Sequence, residues 1–498
     1  MSSLMKGTAI LTIGLFLSKV LGLIYIFPFY AIVGEENVGL YQYAYIPYSI
    51  MLSLAISGIP LAVSKFVAKY NAVGDYETGR RLLRSSTKIM VLSGLLAFLF
   101  LYVMATPIAH LVINNDDQIY TVQDVAEVIR WVSFALIVVP FMSLLRGFFQ
   151  GNGHYLPTSI SQLIEQIARI IILLSGSFIV VVLLDQDVKI AINFAVFAAF
   201  IGAIAGLIVL YYYWKKLKPA LDLNLQKSIS PAEKQPLSDI YKEILTYSIP
   251  IVFVGLANPL FQAIDMITFN RTMTSIGFAE VTDTYFMMLN FSTHKIVIIP
   301  VMLATGLSAA LIPTITEYFT LGKYNALRNA MDKTYQILLF ITVPAALGIM
   351  ILSPFIYHVL YEQSEMGATV LAHYAPVAIL FALFAVTASL LQGIDYQKWI
   401  IFSLLTGVLT KLVLNIPLIK WLQVDGAILA TAIGYGVTIT INIFVIHKAL
   451  NYQSTMVRRR ILLIFILSGI MAVAVGIAVT LLNTFLSADT KLMAVVYC

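Results

Sequence analysis

Charged residues are scarce in this chain of 498 residues. Asp, Glu, Lys and Arg make up 11% of the sequence, whereas 60% is hydrophobic and the mean hydropathy is +0.90. A soluble protein carries roughly 25% charged residues, and a compact soluble fold of this length could not hide so much apolar surface from water. The composition therefore excludes a soluble enzyme, a disordered chain and a nucleic-acid-binding module.

Cysteine is nearly absent, since Cys498 is the only one in the sequence. No intrachain disulfide, zinc site built on cysteines or redox motif of paired cysteines is possible. The P-loop, GxSxG and HExxH motifs are missing, and the acidic pairs at 35–36 and 116–117 fall in short loops. We therefore expect a protein that is not an enzyme, with no catalytic residues, no metal site and no cofactor.

Long apolar runs dominate the sequence instead. A membrane-spanning helix needs about 20 apolar residues, and the N-terminal run lacks a cleavage site, so it is expected to be a retained helix. A last run begins at Leu492 and is too short to span. The sequence predicts an all-α polytopic membrane protein with thirteen spans, at about 7–33, 40–64, 88–112, 128–150, 157–184, 189–214, 243–270, 284–316, 334–361, 368–393, 398–422, 426–447 and 461–486.

Basic residues predict the orientation of these spans. Of 31 Lys and Arg residues, 22 fall in alternate loops, Arg146 among them, whereas the loops between are neutral or acidic, such as NNDDQ at 114–118. Cytoplasmic loops collect Lys and Arg. We expect a multi-pass plasma-membrane protein with a cytoplasmic N-terminus.

Two parts of the chain repeat one another. The string KYNAVGDYETGR at 69–80 recurs as EYFTLGKYNALR at 317–328, and Arg169 recurs as Lys411 behind a repeated Gln-Gly pair. Six spans separate the copies, which predicts two lobes of the same orientation with a substrate site between them.

The repeat and the loop composition predict four parts of the chain. The longest connection is rich in proline and lysine and is interpreted as a linker. The predicted parts are an N-lobe at 1–216, a cytoplasmic linker at 217–242, a C-lobe at 243–450, and C-terminal helices at 451–498 that comprise helix 13 and a stub of helix 14.

Four basic residues fall well inside apolar runs, namely Lys19, Arg169, Lys295 and Lys411. A charge at the bilayer centre costs about 2.5–3.5 kcal/mol and usually faces the bundle interior or a water-filled cavity. Lys19 and Lys295 have no counterpart in the repeat, which favours a functional role. Lys411 has no acid one helical turn away and is also a candidate for a cavity.

Two acids also fall deep in the runs. Glu165 precedes Arg169 by one helical turn, so an ion pair within one helix is as good an interpretation as a role in a cavity. Asp265 is interpreted either as a counter-ion for Lys19 or Arg271 or as a site of cation coupling. The sequence leaves these alternatives open.

A cationic cavity predicts an anionic cargo. Lysine as a point charge and arginine as a planar fork both suit phosphate oxygens. A lipid diphosphate fits, with its head group between the lobes and its tail in the bilayer. A cation-coupled multidrug exporter would need carboxylates in that cavity, and Asp265 and Glu165 are the only deep ones.

The run Ser18-Lys19-Val20-Leu21-Gly22 resembles the S-R-V-L-G of MurJ-type lipid II flippases, in the multidrug/oligosaccharidyl-lipid/polysaccharide exporter superfamily. The repeated Tyr-x-x-x-Gly-x-Tyr and the stretch FFQGNGHYLPTSISQLIEQIARI are most similar to the Gram-positive YtgP/SpoVB-type branch. The resemblance covers essentially the whole chain. It implies a MATE-like core of two six-helix lobes that moves undecaprenyl-diphosphate-linked peptidoglycan precursor to the outer leaflet by alternating access.

The resemblance also implies roles for particular residues. Lys19 takes the position of the first cavity arginine, and Lys295 that of the basic residue on the eighth span. Tyr25 stands where other members have a second arginine, and Asn37 and Ile50 where they have an acid and an arginine. The basic residues that are candidates to replace these charges are Arg271, Lys65 and Lys411.

The implied partners are a lipid-linked diphosphate oligosaccharide, membrane lipids and the cell-wall synthesis machinery, without nucleic acid. Transport is expected to use the membrane potential or an ion gradient. The alternative is a flippase for another lipid-linked polysaccharide or a sporulation-related precursor, which the same cavity would serve. The family has a full fourteenth helix, so the stub at 492–498 favours a truncated sequence.

Overall fold

The computed structural model describes residues 14, 17–56, 58–113, 118–228, 236–451, 455–485 and 490–497. Within these residues, twelve helical stretches are long and apolar enough to cross a membrane, and Leu17–Val33 is a shorter apolar helix ahead of them. These stretches correspond one by one to the thirteen predicted spans. The all-α polytopic prediction is therefore confirmed, while residues 7–13 and 15–16 of the first span lie outside the described residues.

Helices of the first half follow one another with short connections. Residues 17–24 are helical and lead into α1, and a π-helical turn at Ile179–Leu183 ends the helix α7. The bounds are α1 Ile26–Val33, α2 Glu35–Ile56, α3 Ile59–Ala72, α4 Tyr76–Val112, α5 Val122–Ser133, α6 Ala135–Gly151, α7 Tyr155–Phe178 and α8 Val188–Gln226.

Helices of the second half begin with α9, which starts inside the predicted linker. The described parts of that linker are largely helical, since α8 runs to Gln226 and α9 starts at Leu237. The bounds are α9 Leu237–Ser275, α10 Ala279–Met287, a π-helical turn Met288–Thr293, α11 His294–Thr320, α12 Tyr324–Ile351, α13 Ser353–Leu360, α14 Glu365–Tyr374, α15 Val377–Gly393, α16 Gln397–Leu422, α17 Val424–Leu450, α18 Thr455–Phe485 and α19 Lys491–Tyr497.

The chain divides into two compact units. Of the described residues, the first unit holds those up to Pro259 except 118 and 119, and the second holds 118, 119 and those from Leu260 onward. The division falls inside α9 because Ile240 and Ile244 at its start pack in a hydrophobic cluster of the first unit, around Phe66. The long helix α9 therefore contributes to the cores of both units.

The sequence repeat forms the same turn in each unit. The amide of Asp75 donates to the carbonyl oxygen of Tyr70 at 3.0 Å, and the amide of Lys323 donates to that of Tyr318 at 2.9 Å. The residue before each donor is a glycine with positive φ, +78° in the first turn and +65° in the second. Glycine adopts this conformation without steric cost, which explains why it occurs in both copies.

The repeated arginine contacts the last helix of the repeat in each unit. Arg80 on α4 donates to Asp222 Oδ1 on α8 at 2.7 Å. Arg328 on α12 donates to the carbonyl oxygen of Leu450, the last residue of α17, at 2.7 Å. In both units the arginine therefore ties the helix after the turn to the end of the last helix of the repeat.

The C-terminal residues pack on the second unit. Tyr497 in α19 stacks on Phe355 in α13 with ring centroids 4.1 Å apart and planes at 5°. Ala494 belongs to the same hydrophobic cluster. Cys498 lies outside the described residues.

Candidate functional site

Lys19 lies on the helical segment that precedes α1, and its side chain is exposed. That segment packs against α7 through small residues, because a Cβ on Gly22 would lie 3.1 Å from Nε2 of Gln166. Among the described residues, Lys19 has no hydrogen-bond or ion-pair partner. Its ammonium group is therefore accessible to a ligand.

Arg169 on α7 is held by a cluster of tyrosines. Its Nη2 donates to the hydroxyl of Tyr41 at 2.7 Å, and that hydroxyl lies 3.4 Å from the hydroxyl of Tyr25. The rings of Tyr41 and Tyr45 stack with centroids 6.2 Å apart, and Tyr48 packs on Tyr45. The Nε of Arg169 is buried and has no partner among the described residues. Neutral phenols therefore orient this guanidinium group without neutralising its charge.

Glu165 pairs with an arginine of another helix. Its Oε2 accepts from Arg146 Nη2 at 2.7 Å, and Arg146 also donates to Ser161 Oγ, which in turn donates to the carbonyl oxygen of Gly206. This network joins α6, α7 and α8, and it replaces the ion pair within α7 between Glu165 and Arg169. The prediction that Arg146 is a loop residue is wrong, because it lies within α6 and is 9% exposed.

Asp265 and Lys411 form a buried ion pair in the second unit. Lys411 Nζ lies 2.7 Å from Asp265 Oδ2 and donates to Thr431 Oγ1 at 2.8 Å. Asn415 Nδ2 donates to Asp265 Oδ1 at 3.1 Å and to Thr268 Oγ1 at 2.7 Å. Lys411 is 0% exposed and Asp265 is 3% exposed. The pair and its hydrogen bonds tie α9, α16 and α17 together.

This ion pair gives Asp265 a partner other than the Lys19 or Arg271 that the sequence analysis proposed. The counter-ion of Asp265 is Lys411, which comes from a helix 146 residues away in sequence. The interpretation of Asp265 as a site of cation coupling stays a prediction. Lys411 itself is buried among protein groups, in contrast to the other lysines in the predicted set.

Lys295 is half-buried at the start of α11. Its Nζ lies 5.6 Å from the ring centroid of Phe291, in the π-helical turn Met288–Thr293 that precedes α11. The next residue back, His294, is fixed by a 3.0 Å hydrogen bond between its Nδ1 and the hydroxyl of Tyr374. A π-helical turn inside a helix often marks a functional position, and here it directly precedes the turn of α11 that carries Lys295.

The two remaining cations of the predicted set are exposed. Arg271 lies on α9, and Lys65 lies on α3 with its Nζ 5.9 Å from the ring centroid of Phe66. The structure therefore separates the predicted set by burial. Lys19, Lys65 and Arg271 are exposed, Lys295 and Arg169 are half-buried, and Lys411 is fully buried.

The sequence interpretation missed the tyrosine cluster and the Arg146 network. The tyrosines at 41, 45 and 48 are spaced by four and three residues, which places them on one face of a helix, so a signal for the cluster was present. Within the described ranges, no group of three His, Cys, Asp or Glu residues could hold a metal ion. Five of the six predicted cations are exposed or half-buried, and such cations can bind anions.

Comparison with known proteins identifies relatives along the whole chain. The family model described as polysaccharide biosynthesis protein matches residues 4–319. The lipid II flippase MurJ of Bacillus subtilis strain 168 is 44% identical over 491 residues, which cover 98% of this chain and 90% of that protein. The stage V sporulation protein B of the same organism is 23% identical over 452 residues, 90% of this chain and 84% of that protein.

Solved structures show the fold. A lipid II flippase MurJ in an inward closed conformation aligns with a TM-score of 0.67 at 16% identity, over 98% of this chain and 95% of that one. A MATE family multidrug resistance transporter of the MOP superfamily, in its inward-facing conformation, aligns with a TM-score of 0.67 at 15% identity, over 88% and 96%. The chain therefore belongs to the polysaccharide biosynthesis protein family, in the group that contains the lipid II flippase MurJ of Bacillus subtilis.

Proposed function

We propose that this protein is a lipid II flippase, which moves undecaprenyl-diphosphate-linked peptidoglycan precursor from the inner to the outer leaflet of a bacterial plasma membrane. The observation that carries the proposal is the 44% identity to the lipid II flippase MurJ of Bacillus subtilis, over 98% of this chain and 90% of that protein. On this proposal the protein is a transporter that changes the position of its substrate and makes or breaks no covalent bond.

The cargo is bound through its diphosphate. Lys19 and Lys295 supply point charges for the phosphate oxygens, and the exposed Arg271 and Lys65 add to the positive potential. A diphosphate that leaves water loses hydration, and these cations compensate for that loss. The polyprenyl tail stays in the bilayer while the glycan crosses, and transport proceeds by alternating access.

Lys411 and Arg169 have supporting roles in this mechanism. Lys411 is neutralised by Asp265 at 2.7 Å and stabilises the packing of α9, α16 and α17. Arg169 keeps its charge, since its hydrogen-bonded partner is the neutral hydroxyl of Tyr41, and it contributes to the positive potential of the first unit.

The basic loops favour a cytoplasmic N-terminus, so loading takes place at the inner leaflet. The membrane potential or an ion gradient returns the empty carrier, and no bound cofactor is required. The cell-wall synthesis machinery takes up the flipped precursor at the outer leaflet.

Complementation tests the assignment of the site. In a strain depleted of its own lipid II flippase, wild-type protein restores growth and outer-leaflet lipid II, whereas Lys19→Ala and Lys295→Ala each reduce outer-leaflet lipid II at least tenfold. Lys19→Arg and Lys295→Arg keep the charge and retain most activity. Lys216→Ala, which removes an exposed cation from α8, is the matched control and remains active. Full activity of both alanine variants would overturn the site.

Depletion of this protein in its own cells tests the substrate. A flippase for lipid II leaves the precursor on the inner leaflet when it is removed. If inner-leaflet lipid II stays at its normal level while a different lipid-linked polysaccharide or a spore layer is lost, the alternative substrate class replaces lipid II.

A further inference from the structure

A groove of about 690 Å³ runs along the first unit outside the proposed transport residues. It is formed by the start of α4, the middle of α6 and the part of α8 from Leu207 to Lys218. Its lining changes from basic and aromatic at one end to aliphatic at the other. Neither the proposed cargo site nor the packing of the unit accounts for this lining.

The basic end carries three cations. Arg80, Arg84 and Lys218 line it, and none of the described residues that line the groove is acidic. Arg80 is already engaged, because it donates to Asp222 Oδ1 at 2.7 Å and its guanidinium carbon lies 4.8 Å from the ring centroid of Trp214. Arg84 and Lys218 are exposed, so they are the cations available to a ligand.

The aliphatic end is open at the side of the unit. Leu207 and Ile208 on α8 and Phe141 on α6 form its wall. Ile208 is 63% exposed, and Tyr211 one turn nearer the basic end is 56% exposed. In a membrane protein, exposed aliphatic side chains of this kind contact acyl chains.

The helix lengths place the two ends at different depths. With 37 and 39 residues, α4 and α8 are about 56 and 58 Å long at 1.5 Å per residue, whereas the hydrocarbon layer is about 30 Å thick. Their ends therefore extend into the head-group layer. Arg84 lies in the third turn of α4, and Lys218 lies eight residues before the last residue of α8. Ile208 lies ten residues deeper than Lys218, about 15 Å along the helix.

We propose that this groove binds an anionic phospholipid. Its phosphate is held by Arg84 and Lys218, its glycerol backbone lies against Trp214, and an acyl chain follows Leu207 and Ile208. Basic pockets between membrane helices on the cytoplasmic side bind anionic head groups, and tryptophan favours this interfacial depth. A soluble anion would use the basic end alone and leave the aliphatic wall unexplained, so the shape and the charge together favour a lipid.

Fluorescence of Trp214 provides a direct readout. The sequence has four tryptophans, so replacing Trp131, Trp399 and Trp421 with Phe leaves Trp214 alone as the probe. In vesicles, brominated phosphatidylglycerol is expected to quench Trp214 at a mole fraction at least threefold lower than brominated phosphatidylcholine does. The double variant Arg84→Gln/Lys218→Gln removes this preference.

A second double variant controls for net charge. Lys88→Gln/Lys216→Gln removes the same charge from exposed positions of the same two helices that do not line the groove, and it retains the preference. The proposal is overturned if both lipids quench equally in the parent protein, or if the control variant loses the preference as well. It is also overturned if inorganic phosphate, at matched ionic strength, removes the preference, because the ligand is then a soluble anion.

A second experiment measures how much phospholipid co-purifies with the protein, and it uses the protein with all four tryptophans. Counted by mass spectrometry, bound phosphatidylglycerol falls at least threefold in Arg84→Gln/Lys218→Gln and stays unchanged in Lys88→Gln/Lys216→Gln. Equal amounts in the two variants would overturn the proposal. Neither readout uses transport, so failure of the lipid site and failure of the flippase proposal are distinguishable.

Discussion

The two repeat-related cations, Arg169 and Lys411, have different partners. Lys411 is paired with the carboxylate of Asp265 at 2.7 Å, whereas Arg169 donates to the phenol hydroxyl of Tyr41 at 2.7 Å. A carboxylate cancels the charge of its partner, and a phenol orients it but leaves the charge in place. The two units have therefore diverged at equivalent positions, since the second unit has a neutral pair where the first keeps a cation.

Removal of one member of the buried pair is expected to destabilise the second unit. Lys411→Met leaves Asp265 charged and buried, and the loss of one partner of a buried ion pair costs about 3–5 kcal/mol. Asp265→Asn is expected to destabilise the protein by a similar amount. The double variant Lys411→Met/Asp265→Asn is expected to lose less stability than the two single variants together, because it leaves no buried charge without its partner. Thermal unfolding of the purified protein in detergent measures these differences.

Lys420→Met is the control for that cycle, because it removes an exposed lysine from the same helix, α16. It is expected to unfold within a degree of the wild type. Additive losses in the double variant would show that Lys411 and Asp265 do not stabilise each other.

At the level of the element, Gly407 allows α16 and α17 to approach closely. A Cβ on Gly407 would clash with the Oγ1 of Thr438 and would lie 2.5 Å from the carbonyl oxygen of Gly434. Small residues at such crossings let helix backbones pack tightly in membranes. The same contact region includes Ser403, which accepts from Thr438 through its carbonyl oxygen at 3.2 Å.

Gly407→Ala is therefore expected to separate α16 from α17 and to destabilise the protein by about 1–3 kcal/mol, as overpacking does. Gly436→Ala on α17 is the matched control, because a Cβ at that position meets no atom within 4 Å. The control is expected to keep the melting temperature of the wild type. Equal melting temperatures for both alanine variants would contradict the close approach at Gly407.

Much of the fold could be predicted at this scale, but only part of the candidate site. Apolar run length predicted thirteen spans, because a helix in lipid has to satisfy its own backbone. The ion pairs between helices could not be predicted, because spacing in the sequence shows only which residues lie one turn apart on the same helix. Lys411 pairs with Asp265 on another helix, 146 residues away in sequence. Glu165 likewise pairs with Arg146 on a neighbouring helix.

At the scale of the whole molecule, the few charges are distributed unequally between alternate loops. The basic connections include Lys216 after the sixth predicted span and Lys323 after the eighth, and the intervening ones include Asp187 and Glu362. All four side chains are exposed. This asymmetry is the basis for the proposed cytoplasmic N-terminus, and the scarcity of cysteine provides the means to test it.

Cysteine labelling is expected to distinguish the two sides of the membrane. Cys498→Ser removes the only cysteine of the sequence, and single cysteines are then placed at 187, 216, 323 or 362. A membrane-impermeant maleimide is expected to label Asp187→Cys and Glu362→Cys in intact spheroplasts. Lys216→Cys and Lys323→Cys are expected to react only after the membrane is opened, because their loops face the cytoplasm.

The Cys498→Ser background without a new cysteine sets the unlabelled baseline, and labelling after the membrane is opened shows that each new cysteine is reactive. The opposite pattern, with positions 216 and 323 labelled from outside, would reverse the orientation. It would also place the basic end of the lipid groove in the outer leaflet, since Lys216 and Lys218 lie in the same part of α8. The side that reacts therefore determines both the leaflet of the groove and the leaflet from which the proposed cargo is loaded.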